Sequence, residues 1–184
     1  MGKDGGYFQI GGYDLTSHLS PIIKWVPLIK NEPYAYRMAL KGISLNGHMM
    51  RGGHIFDVGV IDSGTTFTYV PDKLFKMLLD HLDWFCFLDT ANHCKGRRIY
   101  NGNPNPGTIC FHYDELKFPL GPKDFFLSYP ILQFHVPLVE GIGTQTLDWY
   151  PSEYMFRTKA SEYCLAIEKF TRANEVLLGG TFMR

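Results

Sequence analysis

The segment from Gly59 to Pro71 constrains this chain more than any other stretch, because it sets a tight polar turn between two strands with a helix directly behind them. The strand-forming residues Val60 and Ile61 run into the carboxylate of Asp62. Ser63, Gly64, Thr65 and Thr66 follow, and Phe67-Thr68-Tyr69-Val70 resumes an apolar run. The first strand delivers Asp62 to a rigid edge. Gly64 lets the backbone turn with its N–H close to the carboxylate, and Ser63 and Thr65 supply hydroxyls to orient it. A bare Asp-Ser-Gly reads most simply as an Asx-type turn. Here the flanks add more: Pro71-Asp72 places proline in a first helical turn and a carboxylate at the positive end of the dipole. Leu74, Phe75, Leu78, Leu79 and Leu82 then recur at three and four residues, so the spacing predicts one apolar helix face.

The rest of the chain reads as mainly β. Its 184 residues include 19 glycines, 11 prolines, 14 phenylalanines and 11 tyrosines, which describe short aromatic or β-branched runs cut by turns. Strands are expected at 5–13, 22–30, 34–45, 54–61, 109–113, 130–136, 145–149 and 163–168, with Asn46-Gly47 as a hairpin turn. Pro27 marks an edge or bulged position. Residues 14–21 and 92–108 read as loops, with Arg97-Arg98 a solvated tip. A short helix or turn is expected at 151–154, and Glu175 to Arg184 is a final apolar run. Trp25, Trp84 and Trp149 are expected in the core.

Equal counts of 18 basic and 18 acidic residues leave no footprint for nucleic acid and no polybasic tether for an anionic membrane. No stretch reaches the ~20 apolar residues of a membrane span. The seven histidines show no H-E-x-x-H and no metal spacing, and read as surface or loop residues. Cys86, Cys94, Cys110 and Cys164 contain no C-x-x-C pair, which favours two disulfides or buried thiols over zinc.

Apolar-Asp62-Ser63-Gly64-Thr65, an aromatic-rich strand and a Pro-Asp-initiated helix together resemble the active-site loop of pepsin-like aspartic proteases, specifically the second such loop, in the C-terminal lobe. Lys24-Trp25-Val26-Pro27-Leu28 resembles the strand opening that lobe, and Ile43-Ser44-Leu45-Asn46-Gly47 the strand-turn before the loop. Tyr129-Pro130-Ile131-Leu132-Gln133-Phe134 resembles the P-x-I-x-F strand, Asp148 to Tyr154 the surface turn, and Tyr163-Cys164-Leu165-Ala166-Ile167 the late cysteine strand. Val176 to Phe182 resembles the apolar-apolar-Gly strand that wraps under the loop. The cysteine pattern is similar to that of divergent protist members, the plasmepsin V-like group included.

The resemblance implies a mainly β, single lobe of the bilobal fold with one or two short helices. It spans residues 1–184, truncated at both ends, with 5–21 as inter-lobe strand and link. It implies an aspartic endopeptidase acting on peptide or protein, without cofactor or metal, in the secretory or endomembrane pathway or outside the cell. Asp62 takes the catalytic role and Ser63 an inter-lobe hydroxyl contact. Gly64 donates its N–H to the carboxylate, Thr65 holds the outer oxygen, and Thr65 and Thr66 meet substrate backbone. The favoured cysteine pairing is Cys86–Cys94 and Cys110–Cys164, the second where the family commonly carries a bridge.

The family chemistry needs two aspartates sharing a proton around a water, yet Asp4-Gly5 and Asp57-Val58-Gly59 lack the hydroxyl and apolar flank of a second loop. The second aspartate is therefore expected from a missing N-terminal lobe. A lone Asp62 is expected to have an ordinary pKa and to be inactive. Two other readings remain: a non-catalytic protease-like binding module, and a nucleotide-binding ATPase of the actin, sugar-kinase and Hsp70 type. The ATPases' first phosphate loop is also apolar-Asp-x-Gly-Thr-Thr, and Leu177-Leu178-Gly179-Gly180 is similar to their adenosine-side glycine pair. Against the ATPase stand the position of the loop and the lack of a second one.

Overall fold

The computed structural model describes residues 10, 24–30, 34–50, 56–88, 93–99, 108–114, 121–139, 143–171 and 174–183. Apart from Ile10, the strand and link expected at 5–21 lie outside the described residues, as do 22–23, 54–55 and 100–107.

Three sheets share one core. The first is five-stranded, in the order β1 (Tyr36–Ala39), β4 (Val58–Ile61), β13 (Glu175–Leu178), β5 (Thr68–Pro71), β12 (Ile167–Phe170). The second orders β3 (His48–Met49), β2 (Gly42–Leu45), β8 (Leu132–Pro137) and β9 (Thr144–Trp149). The third orders β10 (Met155–Lys159), β11 (Glu162–Leu165), β7 (Cys110–His112) and β6 (Arg97–Ile99). Helices α1 (Asp72–Asp83), α2 (Pro122–Leu127) and α3 (Pro151–Tyr154) complete it, with a π-helical turn at Trp84–Leu88 prolonging α1. The architecture is mainly β, consistent with a single pepsin-like lobe.

Local chemistry accounts for most elements. β8 alternates buried and half-buried residues along its length, the signature of a strand with one face in the core. The β2–β3 hairpin turns on Asn46 at φ 45° and Gly47 at φ 82°, the left-handed pair that a two-residue turn requires. Helix α1 buries Leu74, Phe75, Leu78 and Leu82, with Leu79 packed at the margin, as its spacing predicts. Each fully buried side chain of this size contributes about 1.5–3 kcal/mol.

Two expected strands prove to be corners. The run 34–45 changes sheets at Leu40 and Lys41, whose N–H groups donate to Asp57 O at 2.9 Å and His135 O at 2.7 Å. The run 163–168 changes sheets at Ala166, whose N–H donates to Tyr154 O at 2.7 Å while its carbonyl accepts from Thr68 N at 3.0 Å. In place of one strand across 22–30, the described part forms a single bridge, Leu28 to Met38. Part of the loop expected at 92–108 is strand β6, paired to β7. Arg98 is accordingly no solvated tip: it reaches Asp83 at 2.5 Å, whereas Arg97 is exposed. The expectation of three core tryptophans also fails. Trp149 is 1% exposed, but Trp25 and Trp84 are 69% and 59% exposed.

Both favoured disulfides are present. Cys86–Cys94 ties the π-helical turn to the segment entering β6, and Cys110–Cys164 joins residues directly opposite each other on β7 and β11. Around the second bridge, Phe125 stacks on Tyr163 with centroids 4.9 Å apart and meets Tyr129 at 4.8 Å, so α2 is pinned by aromatic contact. The 54-residue separation of Cys110 and Cys164 constrains the unfolded chain by about 4 kcal/mol in the loop-entropy picture. Replacing both by serine should lower unfolding stability by roughly 3–5 kcal/mol in urea titration; a loss below about 1 kcal/mol would show that the bridge constrains little.

Candidate active site

Asp62 stands where β4 ends, and β13 fixes its position. That strand lies between β4 and β5, the two strands that the Asp62 loop connects, running parallel to β4 and antiparallel to β5. The loop therefore bridges over the C-terminal end of β13. The Asp62 N–H donates to Leu178 O at 3.0 Å, extending the β4–β13 ladder by one residue into the loop.

Beyond β13 the chain passes beneath the loop and holds it by its backbone. Gly180 N–H donates to Thr65 O at 2.7 Å and Thr181 N–H to Thr66 O at 3.0 Å. The approach is so close that a Cβ on Gly179 would lie 2.1 Å from Phe67 O and 2.6 Å from Thr65 O. Only glycine fits there, for reasons of contact and not of φ. One residue later the space opens: a Cβ on Gly180 would meet nothing nearer than 3.6 Å.

The carboxylate is held from both sides. Gly64 N–H donates to Asp62 Oδ1 at 2.9 Å and the Thr65 hydroxyl donates to Oδ2 at 2.6 Å. Both bonds favour the ionised form, the Thr65 bond most, and hold the Asp62 carboxyl below the usual carboxylate range. The expectation of an ordinary pKa is thereby corrected: hydrogen bonds within the loop depress it without a second charge. The folded value lies below the unfolded one. The stability these bonds add is therefore fully present above the ordinary carboxylate range and is lost as pH falls through the depressed value.

The structure brings Asp62, Gly64 and Thr65 together; Ser63, whose hydroxyl the sequence also assigns to orienting the carboxylate, and Thr66 flank them and are exposed. The cysteines stand apart in their two bridges. Glu162 sits beside Cys110 and Cys164 with donor atoms within 4.8 Å, but both sulfurs are bonded to each other, so the trio offers one carboxylate and no thiolate. A separate open depression of about 890 Å³ lies between β3 and the end of α1, lined in part by His48, His81, His93 and Trp84. It includes no residue of the Asp62 loop. Sequence reasoning missed the support given by Trp149, whose indole N–H donates to Thr181 O at 3.0 Å; no local pattern announces a bond between residues so far apart.

A profile of the family described as eukaryotic aspartyl protease matches residues 1–184. Plasmepsin V of Plasmodium falciparum is 23% identical over 169 residues, covering 82% of this chain and 27% of that protein. Aspartic proteinase 36 of Arabidopsis thaliana is 27% identical over 149 residues, covering 67% of this chain and 27% of that protein. The matched region spans little more than a quarter of these curated relatives.

Two substitutions test the support of the loop. Gly179→Ala should cost upwards of about 2 kcal/mol in urea unfolding, because the new methyl meets two carbonyls, whereas Gly180→Ala should stay within about 1 kcal/mol. Equal costs would contradict the close approach. Thr65→Val removes the stronger hydrogen bond, so the Asp62 carboxyl should titrate higher by carbon-13 NMR, nearer the ordinary range; an unchanged titration would show that the hydroxyl does not hold it.

Proposed function

The chain belongs to the eukaryotic aspartyl protease family, and on that premise we propose that it is the C-terminal lobe of a pepsin-like endopeptidase, supplying one of two catalytic aspartates. The observation that carries the reading is the carboxylate of Asp62, held by Gly64 N–H and the Thr65 hydroxyl at the end of a strand locked against β13. Family membership supports peptide hydrolysis as the chemistry.

Asp62 pairs with an aspartate on an N-terminal lobe, and the two carboxyls share one proton around a water. The ionised member takes a proton from the water as it attacks the scissile carbonyl, while the protonated member donates to the carbonyl oxygen. Like charges so close cannot both ionise readily, so the pair titrates in two separated steps. Ser63 is exposed on the loop, where its hydroxyl can meet the other lobe, and in this reading Thr65, half-buried, and Thr66, exposed, take the contacts with substrate backbone. Asp62 alone has no acid to work with, so this chain by itself is silent toward peptides. The nucleotide-binding alternative loses its support, since Gly179 packs against the carbonyls of Thr65 and Phe67 and leaves no room for a ligand there.

Two disulfides and the family point to an oxidising compartment, secreted or endomembrane. Among the described residues no helix is long and apolar enough to cross a membrane.

In the two-lobed protein, Asp62→Asn and Asp62→Ala should each lower kcat for a peptide substrate by at least about 10²–10⁴-fold while leaving the fold intact. Retained peptidase activity in Asp62→Ala would overturn the assignment. The wild-type rate should peak at acidic to mildly acidic pH, where one proton remains on the pair; a flat profile from about pH 4 to about pH 9 would contradict a carboxylate dyad.

A further inference from the structure

We propose that Trp149 is a positioning residue for Asp62, acting from another sheet through the carbonyl of Thr181. Trp149 ends β9, in the sheet β3-β2-β8-β9, a different sheet from the one whose strands β4 and β5 carry the Asp62 loop. Its indole N–H donates to Thr181 O at 3.0 Å, in a place where the ring is 1% and Thr181 2% exposed. A buried carbonyl deprived of such a donor has no water to turn to.

The turn from Gly179 to Phe182 is the element on which Trp149 acts. Phe182 N–H donates to Gly179 O at 2.9 Å and closes it. Two of its N–H groups, on Gly180 and Thr181, aim at Thr65 O and Thr66 O, while the Thr181 carbonyl is taken by Trp149. Thr181 is thus held through both backbone groups, one by the loop and the other by a remote sheet. Thr65, whose carbonyl this turn grips, is the residue whose hydroxyl holds Asp62 Oδ2 at 2.6 Å. One hydrogen bond therefore ties the indole to the turn at Thr181, and the turn, through the adjacent Gly180, grips the residue that fixes the carboxylate.

The ring also packs, and that role must be separated from the N–H. Trp149 meets Phe182 edge-on at 5.6 Å and lies 6.1 Å from Phe134, which itself meets Phe182 at 5.4 Å. Phe134→Leu loosens this aromatic packing without touching the N–H, and Trp149→Phe removes the N–H while keeping an aromatic ring.

The test is a carbon-13 NMR titration of the Asp62 carboxyl in the 184-residue chain. Trp149→Phe should move the midpoint upward by about 0.5 pH unit, a roughly threefold change in the acid constant, while Phe134→Leu should leave it where the wild type has it. A folded Trp149→Phe that titrates like the wild type would overturn the proposal, as would an equal shift in Phe134→Leu. Should Trp149→Phe fail to fold, incorporating benzothienylalanine at position 149, with sulfur in place of the N–H, keeps the shape and gives the same two decisive outcomes. The kinetic consequence rests on the proposed peptidase reading: in the two-lobed protein kcat should fall about tenfold in Trp149→Phe with KM within about twofold, since the residue touches no substrate. A wild-type lobe pair that hydrolyses nothing would fail the peptidase reading and leave the titration to decide this one.

Discussion

The structure depends on one crossing. β13 enters between the two strands that the Asp62 loop joins, and the glycine that follows it presses against the carbonyls of Thr65 and Phe67. Without that strand β4 and β5 would have no shared partner, and the loop would be a surface turn free to sample many shapes. With it, the backbone of the loop is held from below by Leu178, Gly180 and Thr181. Only after the backbone is fixed can these two hydrogen bonds, from Gly64 and Thr65, favour the ionised carboxylate, because an oriented N–H and hydroxyl cost no reorganisation when charge develops.

The remainder of the lobe keeps the crossing in place. Helix α1 starts directly at the end of β5 and buries its apolar face, so the loop is bounded on its far side by a rigid element. Lys169 on β12 pairs with Asp72 at 3.4 Å, an exposed contact of small energetic weight. More comes from the corners at Leu40-Lys41 and Ala166, where continuous backbone passes from one sheet to another and lets three sheets enclose one core. Arg37 on β1 and Glu175 at the start of β13 pair at 2.9 Å with their side chains largely covered, holding the entering end of the crossing strand to the sheet.

Much of the site was legible in the sequence because its parts are local. An apolar run ending in Asp62, hydroxyls beside it and a Pro-Asp helix start all lie within a dozen or so residues, and α1 announces itself by spacing. The hairpin at Asn46-Gly47 was equally plain. The corners were not, since an apolar run reads alike whether it stays in one sheet or switches. Strand β6 was hidden by the polarity of Arg97-Arg98, and α2 by its brevity and a start at Gly121 with no side-chain cap. Trp25 and Trp84 show the opposite error, in which large apolar residues are read as core although folded surfaces carry many of them. The depressed pKa of Asp62 needed distances that composition and spacing do not contain.

A carboxylate held ionised by its own loop is half of a catalytic device. The proposed lobe supplies the positioned base, and the shared proton must come from another aspartate brought opposite it. The direct measurement is a fluorogenic peptide assay at about pH 5, run on the 184-residue chain alone and on the same chain co-expressed with an N-terminal lobe carrying its own Asp-Thr/Ser-Gly. The account predicts no hydrolysis from the chain alone and hydrolysis from the pair. A monomeric chain that cleaves the peptide unaided, or a stable pair that cleaves nothing, would contradict it.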